Sequence, residues 1–177
     1  MPLPHRLSRC ALVLLLACAA PAMADAVADV QALLAAGNLA GALDRAERAL
    51  RDKPGDPKAR FVYGVVLMDL QRDEEALAVF TQLTQEYPEL PDPYNNVALL
   101  QARAGRPDLA LQALQNALRS DPGHRTARAN LGRVHLMLAV QAWEQAAAAG
   151  PLEAPTQRLL EGVRALLASG LPTAAPR

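Results

Sequence analysis

Cysteine is nearly missing from this chain of 177 residues, and the two that occur, Cys10 and Cys18, both lie near its start. With none in the body of the chain, a disulfide framework is excluded there. Aromatic residues are also thin, at 3%, and β-branched residues give way to alanine and leucine. Strands draw on aromatic and β-branched side chains, whereas alanine and leucine rank high for helix. Composition therefore predicts an all-α fold. Neither sign of charge is in excess, with 18 basic and 18 acidic residues. Such a surface has no long-range attraction for phosphate backbones or anionic lipid, which argues against a nucleic-acid partner.

Chemistry-bearing groups are equally sparse. Beyond residue 24 the histidines are His124 and His135, whose spacing fits no usual zinc set. The serines there are Ser120 and Ser169, placed in a turn and a tail. No glycine-rich phosphate loop follows a strand. Glu74 and Glu75 diverge as neighbours on a helix, and behind Asp73 they suit a first helical turn favoured by the macrodipole. The expectation is a binding protein rather than an enzyme, with no cofactor and no metal. His124, following Pro122-Gly123, reads as a solvent-exposed loop residue, and His135 as a core or half-buried one.

Residues 1–24 read as a secretory signal peptide. His5, Arg6 and Arg9 supply a basic start, Ala11 to Ala20 an apolar run, and Ala22-Met23-Ala24 a small-x-small cleavage pattern before Asp25. The run is too short for a permanent membrane span, which takes about 20 apolar residues. Arg6 and Arg9 are the leader's basic Arg/Lys residues and no acid accompanies them, so the mature chain would carry 16 basic against 18 acidic. Leu15-Leu16-Ala17-Cys18 also resembles a bacterial lipobox, in which the cysteine becomes the lipidated first residue. The expected location is periplasmic or exported. An outer-membrane lipoprotein acylated on Cys18 is the alternative, and membrane association follows only from that lipidation.

What the chain does have is a period. Pro54, Pro88 and Pro122 are spaced at 34 residues, as are Ala42, Ala76 and Ala110, and Leu43, Leu77 and Leu111. Two more columns hold Ala46, Phe80 and Leu114, and Ala49, Leu83 and Ala117. Each unit reads as two amphipathic helices. In the middle one, Phe61, Gly64, Val65, Leu67 and Met68 keep helical spacing, and after Gln71-Arg72-Asp73 so do Ala76, Leu77, Val79, Phe80 and Leu83. Asp56-Pro57 and Asp92-Pro93 read as an N-cap followed by proline in the first helical position. Gly37 and Gly105 stand where a first helix ends in a left-handed turn, and the proline column stops each second helix. The alanine column lets the second helix approach the first, with large apolar residues filling the seam beyond it.

These features resemble the tetratricopeptide repeat (TPR) family, which repeats at the same interval. Residues 57–90 match through Gly64, Leu67, Ala76, Phe80 and Pro88, and residues 91–124 through Tyr94, Ala98, Ala110, Ala117 and Pro122. An earlier unit over 25–56 matches mainly in its second half, through Ala42, Ala46, Ala49 and Pro54. The resemblance implies a right-handed solenoid of helical hairpins. Its fourth unit, within 125–168, diverges: Asn130-Leu131-Gly132 opens a first helix, but no glycine turn follows Leu138. One long or kinked helix is expected over 124–149, ended by Gly150-Pro151. A last helix over 155–168 would bury Leu159, Leu160, Val163, Leu166 and Leu167 and cap the solenoid. These C-terminal helices, around Trp143, are also where a homo-oligomer could form. Residues 169–177 read as a tail.

The resemblance further implies that first helices line a concave groove. The family's groove positions fall here on Lys58, Phe61, Val65, Met68 and Asp69, then on Asn95, Asn96, Leu99 and Arg103. In the fourth unit they fall on Ala129, Asn130, Arg133 and Leu136. Chaperone-binding members clamp a C-terminal carboxylate with lysine, asparagine and arginine at such positions. Asn96 and Asn130 are kept, but Phe61 and Val65 replace a lysine and an asparagine of that clamp. The mixed lining suits an amphipathic helix or extended apolar segment. The resemblance thus implies an exported scaffold or adaptor for a protein or peptide, or else a lipid-anchored assembly factor of the pilotin kind.

Overall fold

The computed structural model describes residues 23–169, with side chains from Ala26 onward. The expected leader with Cys18 lies outside the described residues except for its last two positions, and the tail lies outside them beyond Ser169. Eight helices are described: α1 (Met23–Ala35), α2 (Leu39–Asp52), α3 (Pro57–Asp69), α4 (Asp73–Glu86), α5 (Pro91–Arg103), α6 (Pro107–Ser120), α7 (Arg125–Ala149) and α8 (Ala154–Ala168). No strand occurs among the described residues. Each helix packs on the next, and α1 also meets α3, and α5 meets α7. First helices therefore form one layer, here termed inner, and α2, α4 and α6 the other.

Local chemistry sets the helix ends. Asn38 caps α2 by accepting from the Gly41 N–H at 2.9 Å. Asp56 caps α3 by accepting from the Lys58 N–H at 2.8 Å, with Pro57 at the first position, as expected. Asp73, Glu74 and Glu75 occupy the first turn of α4. Asp92 is a correction: α5 starts earlier, on Pro91, with Leu90 as the N-cap residue. The fixed φ of Pro91 suits that first helical position, which leaves Asp92 inside the helix.

The hairpin turns obey the period more closely than residue types suggest. Gly37 and Gly105 have φ of +71° and +70°, and Gln71, midway between them, has φ of +59°. The next position in this column is Ala139, and there the chain does not turn. It stays helical, so that α7 runs for 25 residues, against 13 for α3 and α5.

The alanine column is fully buried at Ala42, Ala76 and Ala110. Against it pack Phe80, Leu83 and Leu114, none of them exposed. A Cβ added to Gly64 would sit 2.7 Å from the Phe80 ring, so the absent side chain is what lets α4 close onto α3. Among the described residues four apolar clusters follow the stack, two bridging the first and second units and one each the second and third and the third and fourth. Turns are tied across units as well: the Tyr87 hydroxyl donates to Gly55 O at 3.0 Å, and that of Ser120 to Pro88 O at 2.9 Å.

The C-terminal helix lies where it was expected but buries less. Of its five expected core residues only Leu160 is buried; Leu159 is 56% and Leu166 43% exposed. Among the described helices α8 packs chiefly on α7, and one main neighbour covers only part of its apolar arc.

Candidate functional site

The inner layer brings the expected groove residues together but hides half of them. Lys58 on α3 and Arg103 on α5 are exposed; Phe61, Val65 and Arg133 are half-buried. Met68, Leu99, Asn95, Asn96 and Asn130 are buried, so as placed they pack the fold instead of lining an open surface. Position along a helix fixes which way a residue points. How much of it shows depends on the neighbouring helix, which the sequence pattern does not encode. Met68 and Leu99 join the cluster around Phe80, and Phe61 meets Phe80 edge-on at 5.5 Å between ring centres. Asp69 and Ala129 are exposed and Leu136 is half-buried.

The exposed charges interact at the end of α3. Arg103 Nη1 lies 3.2 Å from Asp73 Oδ1. Partial burial raises the Asp69 carboxyl above its ordinary range, and the nearby Arg103 charge offsets part of that shift.

Between α5 and α7 runs a polar seam. Asn130 Nδ2 donates to Asn95 Oδ1 at 2.8 Å, both side chains buried. One end of the seam is His124, which the sequence placed in solvent. Its side chain is instead 12% exposed. Its Nδ1 accepts from the Ala127 N–H at 3.0 Å, capping α7, and its Nε2 lies 2.9 Å from Asp92 Oδ1. An accepting Nδ1 puts the proton on Nε2, which therefore donates to Asp92. The signal for this role was the register: His124 falls 34 residues after Leu90 and 68 after Asp56, in the N-cap column. His135, expected half-buried, is exposed. Among the described residues, three buried side-chain polar atoms lack a partner: Asn95 Nδ2, Asn96 Nδ2 and Gln101 Oε1.

Among the described residues, two cavities open where neighbouring units meet. One, of about 600 Å³, is bounded by Leu50, Pro54, Tyr63 and Val79 with the Arg60–Glu86 ion pair. The second, of about 390 Å³, is bounded by Pro88, Tyr94, Asn116 and Ser120. They are one notch repeated: the positions of Pro54, Arg60, Gln82 and Glu86 in the first recur 34 residues later as four of the five lining residues of the second, Arg119 being the fifth. Glu86 is held below the usual carboxylate range by Arg60 and then by Gln82. Among the described residues no group of three or more His, Cys, Asp or Glu side chains could hold a metal ion, and no helix is long and apolar enough to cross a membrane.

The helical-hairpin period coincides with a family model. The tetratricopeptide-repeat model matches residues 27–91 and 98–151, more than half of the chain. The chain belongs to the TPR family. No curated protein matches it in sequence. Solved TPR structures match the fold at low identity. A thermophilic TPR protein of Thermus thermophilus, TTC0263, is 22% identical with a TM-score of 0.62, covering 82% of this chain and 83% of its own. The second TPR domain of human RPAP3, solved with an HSP70 peptide, is 15% identical with a TM-score of 0.57, over 64% and 94%. An O-GlcNAc transferase of Thermobaculum terrenum is 15% identical with a TM-score of 0.58, over 67% of this chain but 25% of that enzyme. These likenesses establish the all-α TPR solenoid. TPR domains commonly bind proteins or peptides, as the RPAP3 complex illustrates.

Proposed function

We propose that this TPR protein is an exported scaffold whose inner face holds a protein or peptide segment. The observation that carries the reading is the inner face itself. Accessible Lys58, Asp69 and Arg103 surround the half-buried Phe61 and Val65. That is a charged rim around an apolar strip, the chemistry an amphipathic helix or extended apolar segment fits. Export rests on the leader pattern, and cleavage after Ala24 would leave α1 beginning at Asp25. A lipid-anchored, pilotin-like form would begin instead at an acylated Cys18, and mass spectrometry of the mature N-terminus separates the two.

Leu99 is a poor test site, because truncating a buried leucine costs about 2–5 kcal/mol of stability. The better variant is Lys58→Glu/Arg103→Glu, which alters exposed positions worth little to folding. Affinity capture from an envelope fraction should yield less partner with this variant than with wild type, at unchanged helicity. Equal yields would refute the inner face as the binding surface.

A further inference from the structure

We propose that the TPR array has a joint between α3 and α5 that is more compliant than the one between α5 and α7, which form a locked pair. This goes beyond the binding reading and does not depend on it, because it is measured without a partner.

Inner helices touch unevenly along the stack. Helix α1 packs on α3 and α5 on α7, whereas the backbones of α3 and α5 approach less closely and meet through side chains. The two junctions also differ in chemistry. The α5–α7 junction is pinned at two points, His124 to Asp92 at 2.9 Å and Asn130 to Asn95 at 2.8 Å. Hydrogen bonds between fixed partners specify one register. The α3–α5 side is filled by apolar groups, Leu67 and Met68 with Leu99 and Leu100, and its charged approach, Asp69 to Arg103, is exposed. Apolar burial is non-directional and tolerates small displacements.

One helical turn before Leu99 and Leu100 on α5, Asn96 is 1% exposed and its Nδ2 has no partner. A buried donor without an acceptor weakens the closed arrangement, and opening lets it reach water or a carbonyl. Asn95 also leaves its N–H unpaired, but its oxygen is committed to Asn130. Helix α4 is the axle. It is held to α3 by the Arg60–Glu86 pair, and to α5 by the Tyr94 hydroxyl donating to Thr84 O at 3.1 Å. The joint lies at the middle of the inner face, so its movement would set how far Met68, Leu99 and Asn96 are uncovered.

The test is double electron–electron resonance on the full chain carrying Cys10→Ser and Cys18→Ser. Spin labels at Asp69→Cys and Ala104→Cys span α3 and α5; labels at Ala104→Cys and His135→Cys span α5 and α7. All three sites are exposed. The first pair should give the broader distance distribution, and Asn96→Leu should narrow it. The second should stay narrow until Asn130→Ala is introduced. Asn96→Leu should also raise the thermal midpoint by about 2–4 °C. Equal widths for the two pairs, or a lower midpoint for Asn96→Leu, would overturn the proposal.

Discussion

Gly64 and Gly132 are both helical glycines, yet their surroundings differ. At Gly64 a Cβ would meet the Phe80 ring at 2.7 Å, while at Gly132 nothing lies within 4 Å. Gly64→Ala should therefore lower unfolding free energy by about 1–3 kcal/mol through overpacking. Gly132→Ala should raise it by roughly 0.5–1 kcal/mol, the helix preference of alanine. Urea titration of the pair checks both signs at once. Gln71 presents the converse case, a side chain held at positive φ. Gln71→Gly should stabilise by about 1 kcal/mol, since a left-handed conformation costs an L-residue roughly 1–2; an unchanged midpoint would mean the glutamine offsets its own strain. Asp69 makes a pH prediction. Its folded-state pKa is raised, so folding favours its protonated form. That contribution is complete below the ordinary carboxyl value of about 3.9 and is lost as pH rises through the raised one. Asp69→Asn should accordingly melt higher than wild type at neutral pH, with the gap closing in acid. At this scale the sequence was partly legible. Gly37 and Gly105 announced their turns because glycine has few other reasons to recur there, whereas Gln71 carries no such mark.

Among the elements, the start of α7 depends on an imidazole in a column where α3 uses an aspartate. His124→Asn replaces the capping Nδ1 with an amide oxygen but loses the link to Asp92; His124→Ala loses both. The expected order of stability is wild type, then asparagine, then alanine, with the alanine variant down by about 0.5–2 kcal/mol. An alanine variant as stable as wild type would remove His124 from the α5–α7 lock. Helix existence and length were readable from period and proline, including the unbroken α7. Two kinds of detail were not. The start of α5 was misplaced because Asp92-Pro93 and Pro91 offer competing start signals two residues apart. The burial of α8 was overestimated because an apolar stripe says that a helix wants a neighbour, not that two are present.

For the whole molecule, stability should be graded along the stack, as expected where each element leans on its neighbours. Trp143 is the chain's single tryptophan. It sits half-buried in the part of α7 beyond the fourth position of the turn column, near the end held by α8. Its fluorescence should therefore change at lower urea than the helical circular dichroism signal. Coincident curves would show that the cap and the repeats unfold as one unit. The solenoid itself was legible, since five columns at one interval leave few alternatives. The binding surface was legible only as a face. Which of its residues are open depends on helix spacing, which is set by the volumes packed between neighbours, such as Met68 against Leu99, and not by any one position.

The unbroken course of α7 has one more consequence. Tandem duplication lengthens such arrays by adding hairpins, and each addition needs an inner helix that stops after about three and a half turns. Helix α7, at 25 residues, projects roughly 18 Å past that stop, so the chain turns back only at Gly150-Pro151 and α8 meets it there. A unit copied from this end would therefore carry an inner arm nearly twice as long as the 13 residues of α3 or α5 and would fall out of step with the 34-residue stack.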